Sequence, residues 1–142
     1  MSAIDAELSE LIDEFELLGD WEERIRHVID LGKSLDPLTD AERSDLNKVR
    51  GCASQVWLVT GRSPDGALTF RGDSDAYIVR GLIALLLRFY SNRQPDEILA
   101  FDAKGGMTRL GLEGALTMQR SNGLFSMVER IRRDAREATA AA

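Results

Sequence analysis

Residues 76 to about 90 carry Ile78, Val79, Leu82, Ile83, Leu85, Leu86, Leu87, Phe89 and Tyr90, so a helix here has almost no polar face. A helix that is apolar nearly all round must be covered on all sides. The rest of the chain therefore has to wrap this one segment. Its uninterrupted apolar run, residues 82–87, lies between Arg80 and Arg88. That falls far short of the ~20 residues a membrane span requires, so the cover must be protein. The 142 residues suit a single domain over 1–142 with this helix at its centre.

The flanking pattern supplies the wrapping. Ile4, Leu8, Leu11, Ile12 and Phe15 recur at helical spacing until Gly19 stops the run. Asp20 caps a second helix, with Glu22 and Glu23 in its first turn and a stripe of Trp21, Ile25, Val28, Ile29 and Leu31 or Leu35. Thr39 caps one short turn through Arg43. The period then changes. Residues 54–60 (Ser-Gln-Val-Trp-Leu-Val-Thr) read as a half-buried strand, 61–66 as a turn and 67–71 as a second strand with Leu68 and Phe70 on one face. Val49 and Arg50 offer a short third strand or an extended approach to the sheet. Ser74 or Asp75 caps the central helix, and Pro95 begins another with Asp96 and Glu97 behind it. Gly105, Gly106 and Gly111 punctuate short segments. Ser121 or Asn122 caps a last helix whose Leu124, Met127, Val128, Ile131 and Ala135 share a face, and residues 138–142 read as a frayed tail. The order ααββααα implies an α+β fold, a small antiparallel sheet of about three strands packed against helices.

Composition removes several function classes. The net charge is −6, from 24 acidic and 18 basic residues, which argues against a nucleic-acid coat or an anionic-membrane binder. One Cys and one His exclude an internal disulfide, an all-thiolate metal centre and a zinc finger, so no metal site is expected. The N-terminus MSAIDAELSE has neither a basic nor an apolar signal region, and an unpaired thiol suits a reducing compartment, so the expected location is cytoplasmic. Arg130, Arg132 and Arg133 read as a solvated helix face, and no basic patch is evident.

The lone thiol is the most informative group. Cys52 follows Gly51, which opens backbone conformations closed to other residues, and lies near Lys48 and Arg50, whose charge favours a thiolate. A buried, inert cysteine fits the same residues. His27 is the only imidazole; it is an ordinary helical His or, in a dyad with Cys52, the base of a thiol hydrolase or peroxidase. Asp73 and Asp75 read as helix caps ahead of an acid–base pair.

The stretch Arg50-Gly51-Cys52-Ala53-Ser54-Gln55-Val56-Trp57 resembles the SufE/CsdE family of sulfur acceptors for cysteine desulfurases. Gly72-Asp73-Ser74-Asp75-Ala76 with Ile78-Val79-Arg80-Gly81-Leu82 resembles a second family block, and Arg120-Ser121-Asn122-Gly123-Leu124 a third. The likeness spans about residues 11–131. Many members have Gln where Ala53 stands, and His-Leu-Thr-Pro-Ser-Arg where residues 115–120 read Ala-Leu-Thr-Met-Gln-Arg. The resemblance implies a fold shared with IscU-type scaffolds. It also implies a chain with no cofactor of its own, since pyridoxal phosphate (PLP) belongs to the desulfurase. In that setting Cys52 takes persulfide sulfur from a SufS/CsdA-like desulfurase, stimulates it, and passes sulfur to an iron–sulfur scaffold or other recipient. Gly51 and Arg120 then form the persulfide pocket and its support, and Asp75 belongs to the partner interface or supports the loop. A cluster scaffold is the remaining reading, and a single Cys argues against it.

Overall fold

A computed structural model describes residues 3–52, 54–112 and 118–140, and only the backbone of 118–122. The elements follow the order α1 (Ala3–Glu16), α2 (Trp21–Gly32), β1 (Val56–Arg62), β2 (Leu68–Ser74), α3 (Tyr77–Tyr90), α4 (Pro95–Ala100), α5 (Ala103–Arg109) and α6 (Met118–Ala140). This is the expected α+β arrangement with one more helix.

The central helix is α3, and it is covered as its composition demands. Residues 81–86, Phe89 and Tyr90 are buried, whereas Tyr77, at the first turn, is exposed. Helix α2 crosses α3 at close range because Gly32 and Gly81 face each other. A Cβ on Gly32 would lie 2.7 Å from the Gly81 nitrogen, and one on Gly81 would run into the Val28 carbonyl. Ile4, Leu8, Leu11 and Phe15 of α1 join the same core, as do Leu124, Met127, Ile131 and Ala135 of α6.

The sheet is a two-stranded antiparallel ribbon in which Val56 pairs with Ser74 and Arg62 with Leu68. Val56, Leu58, Leu68 and Phe70 are buried. The expected third strand is reduced to one bridge, Lys48 to Trp57, held by Val49 N–H to Val56 O and Leu58 N–H to Asn47 O, each 2.8 Å. Strand β2 runs through Gly72-Asp73-Ser74, beyond the expected end at Arg71, because those residues continue the ladder to Val56.

Several local expectations hold and others need correcting. Asp20 caps α2, its carboxylate accepting from Glu23 N–H at 2.9 Å. Thr39 and Glu42 exchange side-chain-to-backbone bonds, closing the expected turn. Trp21 is 59% exposed rather than part of the apolar stripe, since it stands at the first helical position directly after the cap. Gly105 and Gly106 lie inside α5, where Asp102 caps the Gly105 N–H and Phe101 packs closely over Gly106. Helix α6 begins at Met118, before Ser121 and Asn122, and runs on to Ala140 through much of the expected tail. Neither Ser74 nor Asp75 caps α3, because the cap position is Ala76; the Ser74 hydroxyl accepts from Ala76 N–H at 3.2 Å and the Asp75 carboxylate from Gln55 N–H.

Candidate functional site

Cys52 sits in the six-residue loop between two paired backbone positions, Val49 and Val56. The loop is anchored on both flanks. Upstream, Glu42 pairs with Arg71 and Arg43 Nη2 reaches Asp73 Oδ2 at 3.0 Å, tying the preceding segment to β2. Downstream, Asp75 forms a reciprocal clamp with Gln55. Its carboxylate accepts from Gln55 N–H at 3.0 Å, and its own N–H donates to Gln55 O at 3.3 Å. Asp73, the other acid of the pair, lies between Arg43 and Arg80, each 3.0 Å away. It is therefore a structural ion-pair centre and not an acid–base partner of Asp75.

Gly51 is required on two counts. Its φ is +89°, and a Cβ there would stand 2.5 Å from Ser126 Oγ. The loop thus presses flat onto α6, and this places the thiol. Cys52 Sγ points to the Gly123 carbonyl at 3.6 Å, and the Gly123 Cα side has room only for an ordinary contact with the sulfur. The thiol is partly buried. Burial pushes it above the ordinary thiol pKa, because removing water disfavours the charged form. This corrects the expectation that Lys48 and Arg50 acidify it. The free protein holds Cys52 as a sheltered thiol.

His27 is not brought to Cys52. Its Nε2 lies 2.5 Å from Glu14 Oε1 and its ring meets Phe15 edge-on at 5.3 Å, between α1 and α2. Among the described residues, no hydrogen bond joins it to the thiol. The hydrolase dyad is thus without a geometric basis. Arg120 lies in the first turns of α6, but its side chain is outside the described residues, as are Ala53 and Ala115. Also among the described residues, no group of three or more metal-ligating side chains converges.

The basic residues near the thiol depart from the sequence expectation. Lys48, Arg50, Arg130, Arg133 and Arg136 line one groove of about 310 Å³, together with Ser126 and Glu129. Arg130 is largely covered and Arg132 donates to Leu99 O at 3.0 Å, so this is not a uniformly solvated helix face. The signal was present in the spacing of Ser126, Arg130 and Arg133, three and four residues apart and so on one helix face. What the sequence lacked was the loop that lays Lys48 and Arg50 beside that face.

Residues 9–135 match the family model for SufE, the Fe-S metabolism associated domain. The chain belongs to the SufE family. An uncharacterized SufE-like protein of Rhizobium etli is 52% identical over 139 residues, covering 96% of this chain and 94% of the relative. One of Rhizobium meliloti is 48% identical over 131 residues, covering 90% and 94%. The solution structure of a hypothetical protein from Thermus thermophilus has the same fold, with a TM-score of 0.76 at 20% identity over 94% of this chain and 96% of that one. The SufE domain links the chain to iron–sulfur metabolism. It also covers the thiol loop, the Asp75 clamp and most of α6. Among the described residues, no helix is long and apolar enough to cross a membrane.

Proposed function

We propose that this SufE-family chain is a sulfur acceptor and relay. It takes persulfide sulfur from a PLP-dependent cysteine desulfurase onto Cys52, stimulates that enzyme, and passes the sulfur to iron–sulfur assembly in the cytoplasm. The observation that carries the reading is the lone thiol, held against Gly123 O by a glycine turn that fits flat on α6. A carrier of this kind needs one thiol that is shielded at rest, so that the loaded form is shielded from water and oxidants too.

The step balances without an oxidant. The Cys52 thiol loses its proton and the sulfur attacks the outer sulfur of the donor persulfide. The donor S–S bond breaks, and the donor thiolate leaves and takes up the proton. The products are a Cys52 persulfide and a free donor thiol. Attack on the inner sulfur would give a mixed disulfide, so docking must direct Cys52 to the outer one. Because burial disfavours the Cys52 thiolate, docking that frees Cys52 from its seat on α6 or supplies a base would promote the attack. This gives binding a role beyond proximity. PLP stays on the desulfurase; the chain itself brings no cofactor. Asp75 supports the loop and stands at its exposed edge, where the partner docks. Gly51 sets the loop geometry, and the role assigned to Arg120 is to help hold the persulfide anion.

The test incubates the protein with the desulfurase of the same organism and L-cysteine, then reads intact mass without reductant. The expected adduct is about 32 Da, absent from Cys52→Ser, together with faster alanine release for the wild type only. Equal stimulation by wild type and Cys52→Ser, with no adduct on either, would overturn the reading.

A further inference from the structure

The cationic groove and the thiol share one side of α6. Gly123 accepts from Cys52, Ser126 meets Gly51, and Arg130, Arg133 and Arg136 follow along the helix. From Gly123 to Arg136 the helix advances about 20 Å at ~1.5 Å per residue. Five of the chain's 18 basic residues line this one concavity, although the chain carries six more acids than bases. Arg130 is covered and hydrogen-bonded to Asp134, whereas the more exposed Arg133 and Arg136 hold their internal partners at longer distances. Arg130 approaches Asp134 at 3.4 Å, Arg133 approaches Asp134 and Glu137 at 3.5 and 3.8 Å, and Arg136 approaches Glu129 at 3.9 Å. Among the described residues, Lys48 and Arg50 have no ion pair.

Guanidinium groups offer planar donor forks that match carboxylates. The arginines of α6 span about 9 Å, and the whole path from the Cys52 contact at Gly123 to Arg136, about 20 Å at ~1.5 Å per residue, suits about six residues of extended chain at ~3.3 Å per residue. We propose that this groove binds an extended, acidic segment of the cysteine desulfurase and so aligns the donor persulfide with Cys52. The inference rests on the relay reading for the identity of the partner. The acidic remainder of the molecule repels a polyanion that extends past the groove, which favours a short acidic protein segment over a nucleic acid.

The test measures the dissociation constant between this protein and the desulfurase of the same organism, by calorimetry at low and at high salt. The variants are Arg50→Glu/Arg133→Glu and, separately, Glu129→Gln. The double reversal is expected to weaken binding by about tenfold or more at low salt. Glu129→Gln, which removes the groove's own acid, is expected to tighten it about two- to threefold, a gain that misfolding cannot imitate. Both effects should shrink toward zero in ~0.5 M NaCl, where the screening length falls to a few ångström. Wild-type affinity for both variants at low salt would overturn the proposal. Tighter, similarly salt-sensitive binding of a single-stranded oligonucleotide would overturn it too, by assigning the groove to nucleic acid. Loading of wild-type Cys52 from cysteine persulfide reads the relay separately. If Cys52 takes sulfur from neither donor while the charge effects on binding persist, the relay reading fails and the groove stands.

Discussion

Replacing Gly51 with Ala tests how the thiol is positioned, and the structure divides the cost into two parts. The first is conformational. At φ +89° an L-residue is strained, and holding a non-glycine residue there costs on the order of 1–3 kcal/mol. The second is steric. The new Cβ would stand 2.5 Å from Ser126 Oγ but 3.5 Å from Ser126 Cβ, so the clash is with the hydroxyl alone. Rotating that hydroxyl away costs about 0.5–1.5 kcal/mol if it leaves its preferred rotamer. Gly51→Ala should therefore lose about 1.5–4.5 kcal/mol in urea unfolding, provided the loop keeps its native path. If the loop yields instead, the loss is smaller and hydrogen exchange rises around residues 50–55. Ser126→Ala alone should be nearly neutral. Combined with Gly51→Ala it should recover only the steric part, leaving the backbone cost, so the double-mutant cycle isolates the two. Gly51→Ala with unchanged stability and unchanged loop exchange would refute the claim that a positive-φ glycine seats the thiol on α6.

Three other outcomes follow from the same structure. The rate of Cys52 alkylation by iodoacetamide should rise with pH to a midpoint above that of a small model thiol, because burial raises its pKa; a midpoint at or below the ordinary value would contradict the sheltered seat. Asp75→Ala should expose the Gln55 N–H to exchange and cost about 0.5–1.5 kcal/mol, with slower sulfur loading; unchanged exchange at Gln55 would remove its supporting role. Burial alone would raise the Glu14 pKa, but hydrogen bonds from His27 and Arg88 and their charge bring it below the ordinary value. Its contribution is therefore present above the unfolded-state pKa and lost as pH falls through the folded one, so Glu14→Gln should destabilise at pH 7 and much less at pH 3, and an equal loss at both would contradict this.

How much of this was legible in the sequence depends on whether the signal was local. The all-round apolar character of α3, the Asp20 cap and the Leu68/Phe70 face were readable because each is written in residues a few positions apart. The caps assigned to Ser74 and Asp75 failed because tertiary pairing won. Asp75 is used by Gln55, 20 residues away, and the ladder to β1 carries the strand through Ser74. The break expected at Gly105 and Gly106 is overridden too, since Phe101 packs over Gly106 and the Asp102 carboxylate caps the Gly105 N–H. At the site, Cys52 and Gly51 were evident, but the direction of the thiol's pKa was not. Sequence shows the neighbouring cations, whereas burial against Gly123, 71 residues later, decides the sign. The groove was likewise hidden, because its two halves meet only when the loop lies along α6.

The most direct measurement of the central claim is a single-turnover transfer from isotope-labelled L-cysteine through the desulfurase, followed by peptide mass analysis without reductant. Labelled sulfur is expected on the peptide that contains Cys52, released by dithiothreitol and consumed when an iron–sulfur scaffold is added. Label that stays on the desulfurase while this protein is bound and folded would contradict it.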